Sequence, residues 1–354
     1  MRNWHNPNQK KVLEKLAQTD KTHRPPSTRM LSHFRILWLA LGGSCAPFLF
    51  ADTPLPEGHQ GIAAHYPGDE GIEQHADVLF VESFDLRDTA QLKERWETVD
   101  GLAGMSFSTL TPRGSRSSRS LLITHEGGKG TGGQLYRRLP GDLQTVFARW
   151  YVRFDQDCWD IHHFGTHLGG FAPSTPWPQG GAGERPDGHK RFTSGVEPYG
   201  RNWTWDFYTY WQGMRRHGDG NFWGTPFLEG MTKPKAEKGK WVCVEMMMEL
   251  NSSPEKKDGA QCFWLDGQLI RHDHQIVSHV GPGQPAGSWK GGWWAPSAAA
   301  STTFEGFQWS SSESLGINYL WTYLYITKAP KGHISRVWFD QIVVASTYIG
   351  PISS

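Results

Sequence analysis

Cysteine is scarce, with four residues in 354. No pair has CxxC spacing, which argues against the common structural zinc frameworks. Beyond residue 51 only Cys158, Cys243 and Cys262 remain, and an odd count leaves at least one thiol without an intramolecular partner. Cys243 and Cys262 fall in consecutive strand-like segments and can pair there if their Cβ atoms face each other. Apolar runs are scarce too. Residues 36–51 form an uncharged stretch too short to span a bilayer as a helix, and nothing later in the chain replaces it, so no membrane span is expected in the mature protein. A positive excess is also missing. Residues 52–354 hold 28 Lys and Arg against 33 Asp and Glu, a net charge of −5. Nucleic-acid surfaces need the opposite sign, so nucleic acid is not expected as a partner. Helical periodicity is nearly absent after residue 100, which excludes a helical bundle.

What is present begins with an address. MLSHFRILWLALGGSCAPFLFA, residues 30–51, has a short basic start, an apolar centre and the ending Leu49-Phe50-Ala51 before Asp52. That is the pattern of a signal peptide, with Met30 as the natural start and the polar, basic residues 1–29 upstream of it. The chain is therefore expected to be secreted or periplasmic. Lipid attachment at Cys45 fits poorly, because the residues before it do not suit a lipoprotein signal. Residues 52–76 read as a linker or N-terminal strap, and residues 77–354 as a single domain.

That domain reads as all-β. Residues 145–154 alternate, with Val146, Ala148, Trp150, Val152 and Phe154 on one side and Arg149, Tyr151 and Arg153 on the other, the period of a half-buried strand. Strand patterns also cover residues 78–84, 120–125, 191–197, 203–211, 241–250, 260–265, 319–327 and 337–345. Residues 86–96 read as one short helix. Asp266-Gly267 marks a tight hairpin turn. Many strands with turns between them mean a sandwich or barrel. Residues 165–190, rich in Gly and Pro, read as one long loop, and such loops usually carry function.

Sixteen of the 18 Trp lie beyond residue 51. Their flat faces match the CH faces of sugar rings, although Trp also fills sandwich cores. Trp177, Trp203, Trp211 and Trp223, with Lys190, are the candidate substrate-binding residues; Trp293 and Trp294 lie in similar stretches.

Three clusters could carry chemistry. His162, His163 and His167 put three imidazoles within six residues, placed by the sequence on a loop. They could hold a metal, contact substrate or belong to the loop alone. In residues 191–197, strand parity puts Arg191, Thr193, Gly195 and Glu197 on one face and Phe192 and Val196 on the other. In residues 205–211, Asp206, Tyr208 and Tyr210 share one face and Trp205, Phe207 and Trp211 the other. Two phenols at i and i+2 suit proton transfer to and from a sugar.

Several of these segments resemble the alginate lyase and glucuronan lyase group of polysaccharide lyases, which fold as concanavalin A-like jelly rolls. Gly165-Thr166-His167-Leu168-Gly169-Gly170-Phe171 resembles that group's GGKLPGL segment. Residues 191–197 resemble its FSAR strand, and Tyr208-Thr209-Tyr210 its YxY strand. Lys238-Gly239-Lys240-Trp241, then Glu249-Leu250-Asn251 and Phe263-Trp264-Leu265-Asp266-Gly267, resemble its GxW…LN…DG segments. The likeness covers residues 145–270 in order. It departs where the group's lysine falls on His167, and where its Ser and Arg fall on Thr193 and Gly195. Exported proteins of environmental bacteria are also similar, without adding an activity.

The resemblance implies a jelly-roll sandwich and β-elimination on a uronic acid-containing polysaccharide. His167, His163 or Arg191 would neutralise the carboxylate, and Tyr208 and Tyr210 would serve as base and acid. No cofactor is required for that reaction. A structural calcium ion is common in such sandwiches, and Glu82 and Asp340 could supply oxygens to one. Two other readings stay open. A glycoside hydrolase on this scaffold needs two carboxyls flanking the bond, with Glu197, Asp206 and Glu245 as candidates. A lectin-like module would need only the aromatic groove.

Overall fold

The computed structural model describes residues 54–178 and 181–353. The signal-like segment 30–51 and Cys45 lie outside the described residues. In chain order the strands are β1 (Val78–Glu82), β2 (Thr98–Asp100), β3 (Met105–Ser108), β4 (Ser120–Glu126), β5 (Gly132–Leu143), β6 (Thr145–Phe154) and β7 (His163–Phe171). Then come β8 (Arg191–Tyr199), β9 (Thr204–Tyr210), β10 (Trp241–Glu249), β11 (Ala260–Leu265), β12 (Gln268–Leu269), β13 (Arg271–His272) and β14 (Gln275–Ile276). The last are β15 (His279–Val280), β16 (Gly287–Lys290), β17 (Trp293–Pro296), β18 (Ile317–Tyr325) and β19 (Ile334–Ala345).

Two antiparallel sheets carry the fold. One runs β12-β11-β10-β6-β19-β4-β3, with β1 also on β19 and β15 also on β11. The other runs β2-β5-β18-β7-β8-β9. The chain crosses repeatedly between them, so sequence neighbours such as β6 and β7 lie in different sheets. This is the jelly-roll sandwich expected from the sequence. The strand in residues 145–154 appears as expected, and its Val146, Ala148, Trp150, Val152 and Phe154 are all buried.

Between the sheets lies an aromatic core. Phe154 meets Phe164 and Trp203 at centroid distances of 5.0 and 5.1 Å, and Phe164 stacks on Phe339 at 5.3 Å. Each fully buried Phe of this kind contributes about 1.5–3 kcal/mol from area alone. The expected helix over residues 86–96 is shorter, a 3₁₀ turn at Thr89–Gln91 and one α-turn at Leu92–Arg95.

The outer face of the nine-stranded sheet is covered by residues 54–76 and the C-terminal segment. Ile62 and Ala63 donate backbone N–H groups to Tyr348 and Ile349, and Ile62, Ala63 and Ile72 are buried. Arg149, on the outward side of β6, is fully buried because this cover supplies Asp69 as its ion-pair partner.

Two possibilities left open by the sequence are decided by neighbours here. Cys243 and Cys262 do not pair, and both are buried free thiols, as is Cys158. The register explains it. Cys262 faces Met247, four residues beyond Cys243 on β10, an offset of about 13 Å along the strand. Glu82 does not suit a calcium ion, because its carboxylate accepts from Phe84 N, Arg95 Nε and Trp96 Nε1. A guanidinium stands where a cation would. Asp340 is buried, with Oδ2 unpaired, and among the described residues no three His, Cys, Asp or Glu converge as metal ligands.

Candidate active site

The six-stranded sheet turns one face to the core and the other outward. Strand parity decides which side chains meet on the outer face. On β7 the core takes Phe164 and Leu168, leaving His163, Gly165, His167 and Gly169 outward. His163 and His167 are therefore on a strand, with His162 just before it, not on the loop expected from the glycines; the loop begins after Phe171. On β8 the core takes Phe192 and Val196, leaving Arg191, Thr193, Gly195 and Glu197 outward. On β9, Trp205 and Phe207 pack inward while Tyr208 and Tyr210 sit on the outer side.

Register then brings the clusters together. One row across the sheet reads Tyr136, Trp321, His167, Gly195, Tyr208. The next reads Arg138, Tyr319, Gly169, Thr193, Tyr210. The glycines leave room for rings. A Cβ on Gly195 would stand 2.0 Å from His167 Cδ2, and one on Gly169 would stand 2.3 Å from the Tyr319 hydroxyl. Large flat side chains thus lie down on glycine and form a floor.

The Tyr208 and Tyr210 hydroxyls are 3.1 Å apart. On one side of this pair stands His163, whose ring meets Tyr208 at a centroid distance of 4.4 Å. His163 Nδ1 lies 3.3 Å from each oxygen of Glu197, which also accepts from Phe164 N at 3.1 Å. On the other side stands Arg191, on the same outer face of β8 and two residues before Thr193, the register partner of Tyr210. Its Nη2 donates to the carbonyls of Gly181 and Glu184 at 3.2 and 3.1 Å. The order is His163–Glu197, Tyr208, Tyr210, Arg191.

Burial pushes both phenols above the ordinary value. For Tyr208 the push is large, and the neighbouring Tyr210 adds to it. For Tyr210 it is opposed by the hydrogen bond from Tyr208, by the Gly224 N–H and by Arg191. Of the two, Tyr210 is the phenol whose ionisation is less strongly opposed, and either hydroxyl can donate across the contact.

His167 does not suit the cationic role expected of it. It is 2% exposed, and burial, then the charge of His163, lower its pKa to about 3. The ring is neutral, tied to Tyr323 OH at 3.3 Å and Thr193 Oγ1 at 3.5 Å. Among the cationic candidates, Arg191 carries a permanent charge.

Of the three hydrolase carboxyls, Glu197 lies in this site and the other two are occupied elsewhere. Asp206 is buried and accepts from Phe207, Phe227 and Leu228 N–H groups and from Lys233 Nζ at 2.7 Å. Glu245 belongs to the other sheet, where it accepts from Ile349 and Gly350 N–H groups under the terminal cover. Two candidate sugar-stacking residues are core instead. Trp203 is buried against Phe154, and Trp211 against Phe227 and Phe307, so neither has a free face. Trp177 is 49% exposed and Trp223 partly so. Lys190 is exposed in the loop before β8.

Strand β18 adds residues the sequence reading missed. Tyr319, Trp321, Tyr323 and Tyr325 alternate in INYLWTYLY, and that period of two was the available signal. Trp321 stacks on Tyr323 at 4.4 Å and donates from Nε1 to Gln134 at 2.9 Å.

No family model and no curated protein sequence matches the chain. Solved structures do. A marine alginate lyase from Aplysia kurodai aligns with TM-score 0.50 at 13% identity, over 77% of this chain and 100% of that one. An alginate lyase from a Chlorella virus aligns with TM-score 0.49 at 14% identity, over 77% and 100%. An endo-β-1,4-glucuronan lyase from Trichoderma reesei aligns with TM-score 0.42 at 13% identity, over 76% and 96%. At this identity the Aplysia match shows the fold: the described residues form a jelly-roll sandwich of the kind that an alginate lyase uses.

Proposed function

We propose that this chain is an exported polysaccharide lyase that cleaves a uronic acid-containing glycan by β-elimination. The observation that carries the reading is the row of His163, Tyr208, Tyr210 and Arg191 on one sheet face. Export rests on the segment 30–51, and among the described residues no helix is long and apolar enough to cross a membrane. The alginate and glucuronan lyases of similar fold support this class of substrate.

Elimination needs three events: neutralisation of the uronate carboxylate, removal of the C5 proton, and protonation of the leaving glycosidic oxygen. Arg191 meets the carboxylate. Tyr208, the more exposed phenol, faces the sugar. It takes the C5 proton as its own proton passes across the 3.1 Å contact to Tyr210, whose small ionised fraction is the active form. The C4–O bond breaks as the C4–C5 double bond forms. Tyr208 then protonates the departing oxygen and recovers its proton from Tyr210. One proton moves from C5 to the leaving group, and the enzyme returns to its starting state.

A second reading replaces the base. The contact with Glu197 holds His163 with Nδ1 as donor and leaves Nε2 as a lone-pair acceptor. The test is ultraviolet absorbance of unsaturated uronate ends, for wild type, Tyr208→Phe and His163→Ala, on a panel of polyuronates. Loss of the signal in Tyr208→Phe supports the tyrosine route. Full activity in that variant with loss in His163→Ala moves the base to the imidazole.

A further inference from the structure

Two loops meet beside Tyr208, and together they carry three exposed guanidiniums. A Cβ on Gly224 would stand 2.5 Å from the Tyr208 ring, so the segment around residue 224 forms the wall of the site at that end. Thr225 bridges to Thr209 on β9, and Phe222 bridges to Gly183 in the loop before β8. That second loop also receives Arg191 on its Gly181 and Glu184 carbonyls. The wall is therefore continuous with the catalytic row. Phe222 lies two residues from Gly224, at most about 7 Å along the chain.

Arg185 and Arg216 both pack against the Phe222 ring, with Cζ 5.6 and 5.2 Å from its centroid. Arg215 packs over Trp289 at 4.5 Å. All three are exposed, and among the described residues none joins an ion pair. Of the acids on these loops, Asp219 is held by Trp223 Nε1 and Asn221 N, Asp187 accepts from His189 N and Lys190 N, and Glu184 faces Arg191 at 3.9 Å. Contact with the Phe222 ring restrains Arg185 and Arg216 near one another while both stay exposed to solvent. A chain of net charge −5 beyond residue 51 thus concentrates unpaired positive charge at the exit from Tyr208.

We propose that Arg185 and Arg216, both packed against Phe222, form an anion-binding extension of the groove. It takes carboxylate or sulfate groups of a polyanionic glycan on units beyond the bond that is cleaved. The position relative to cleavage rests on the lyase reading; the anion site itself does not. The site makes the protein a binder of long acidic chains, with the far units held by charge and the near unit by the tyrosine row.

The test is affinity electrophoresis of the full chain through gels containing polyguluronate, polymannuronate, polyglucuronate, dextran sulfate or neutral dextran. Wild type and R185Q/R216Q are compared, with melting temperatures checked to be equal. Retardation by a polyanion that weakens about tenfold in the variant, with none by neutral dextran, supports the site. If dextran sulfate alone retards the protein, sulfate is its ligand. Where a polyuronate is also cleaved, the variant raises KM for polymer at unchanged kcat and leaves trisaccharide cleavage alone. Retardation that is absent in wild type, or equal in the variant, overturns the proposal. Because binding is read without turnover, retardation without cleavage sinks the lyase reading and leaves the anion site standing.

Discussion

The imidazole of His167 lies over Gly195, filling the space in which any side chain at position 195 would stand. Gly195→Ala is therefore expected to push the ring off its contacts with Tyr323 and Thr193. Overpacking of this kind costs about 1–3 kcal/mol. The pair is coupled, so His167→Ala should recover part of the loss when combined with Gly195→Ala. Urea denaturation of the four proteins in the cycle measures it, and additive losses would remove the coupling.

The tyrosine route fixes a pH dependence. Burial raises both phenols above their ordinary value of 10, so the ionised fraction at neutral pH is small and grows with alkalinity. The cleavage rate is expected to rise roughly tenfold per pH unit from neutrality until ionisation saturates or the fold fails. A rate that does not rise with alkalinity would contradict the tyrosine route.

The buried pair of Arg149 and Asp69 ties residues 54–76 to the nine-stranded sheet. Asp69→Asn leaves a guanidinium buried without its counter-charge, a loss of about 3–5 kcal/mol. The variant should unfold at a clearly lower urea midpoint. An unchanged midpoint would mean that the terminal cover adds nothing to stability.

Glu245 gives a pH signature in stability. Burial raises its pKa to about 7, against the pull of the Ile349 and Gly350 N–H groups and of Arg149. The unfolded chain releases this proton near 4.5 and the folded chain near 7, so between those values the folded state holds the extra proton. Stability contributed by this group therefore falls as pH rises from about 4.5 to about 7. Subtracting the Tm profile of Glu245→Gln from that of wild type should isolate the decline. A flat difference would contradict the shift.

Much of this architecture was legible beforehand, and the reasons are particular. The alternation in residues 145–154 survives because β6 lies between β10 and β19 with one side against the core. The faces of β8 and β9 followed from parity alone. The histidine strand was misread because Gly165, Gly169 and Gly170 look like loop residues, whereas here glycine makes space for rings lying on a sheet. Trp203 and Trp211 were misread because burial of an indole depends on which loops close over it, and local sequence does not encode that. Arg149 looked like a solvated residue; its burial depends on a partner 80 positions away. The alternation of aromatics in β18 was visible, and its meaning came from pairing with β7.

The central claim is elimination at a uronate, and product mass tests it most directly. Polyuronates incubated with the purified chain should yield oligosaccharides whose new non-reducing ends are unsaturated and lighter by one water than hydrolysis products. Those products should disappear with Tyr208→Phe. Saturated ends of full hydrolytic mass, still formed by Tyr208→Phe, would contradict the account.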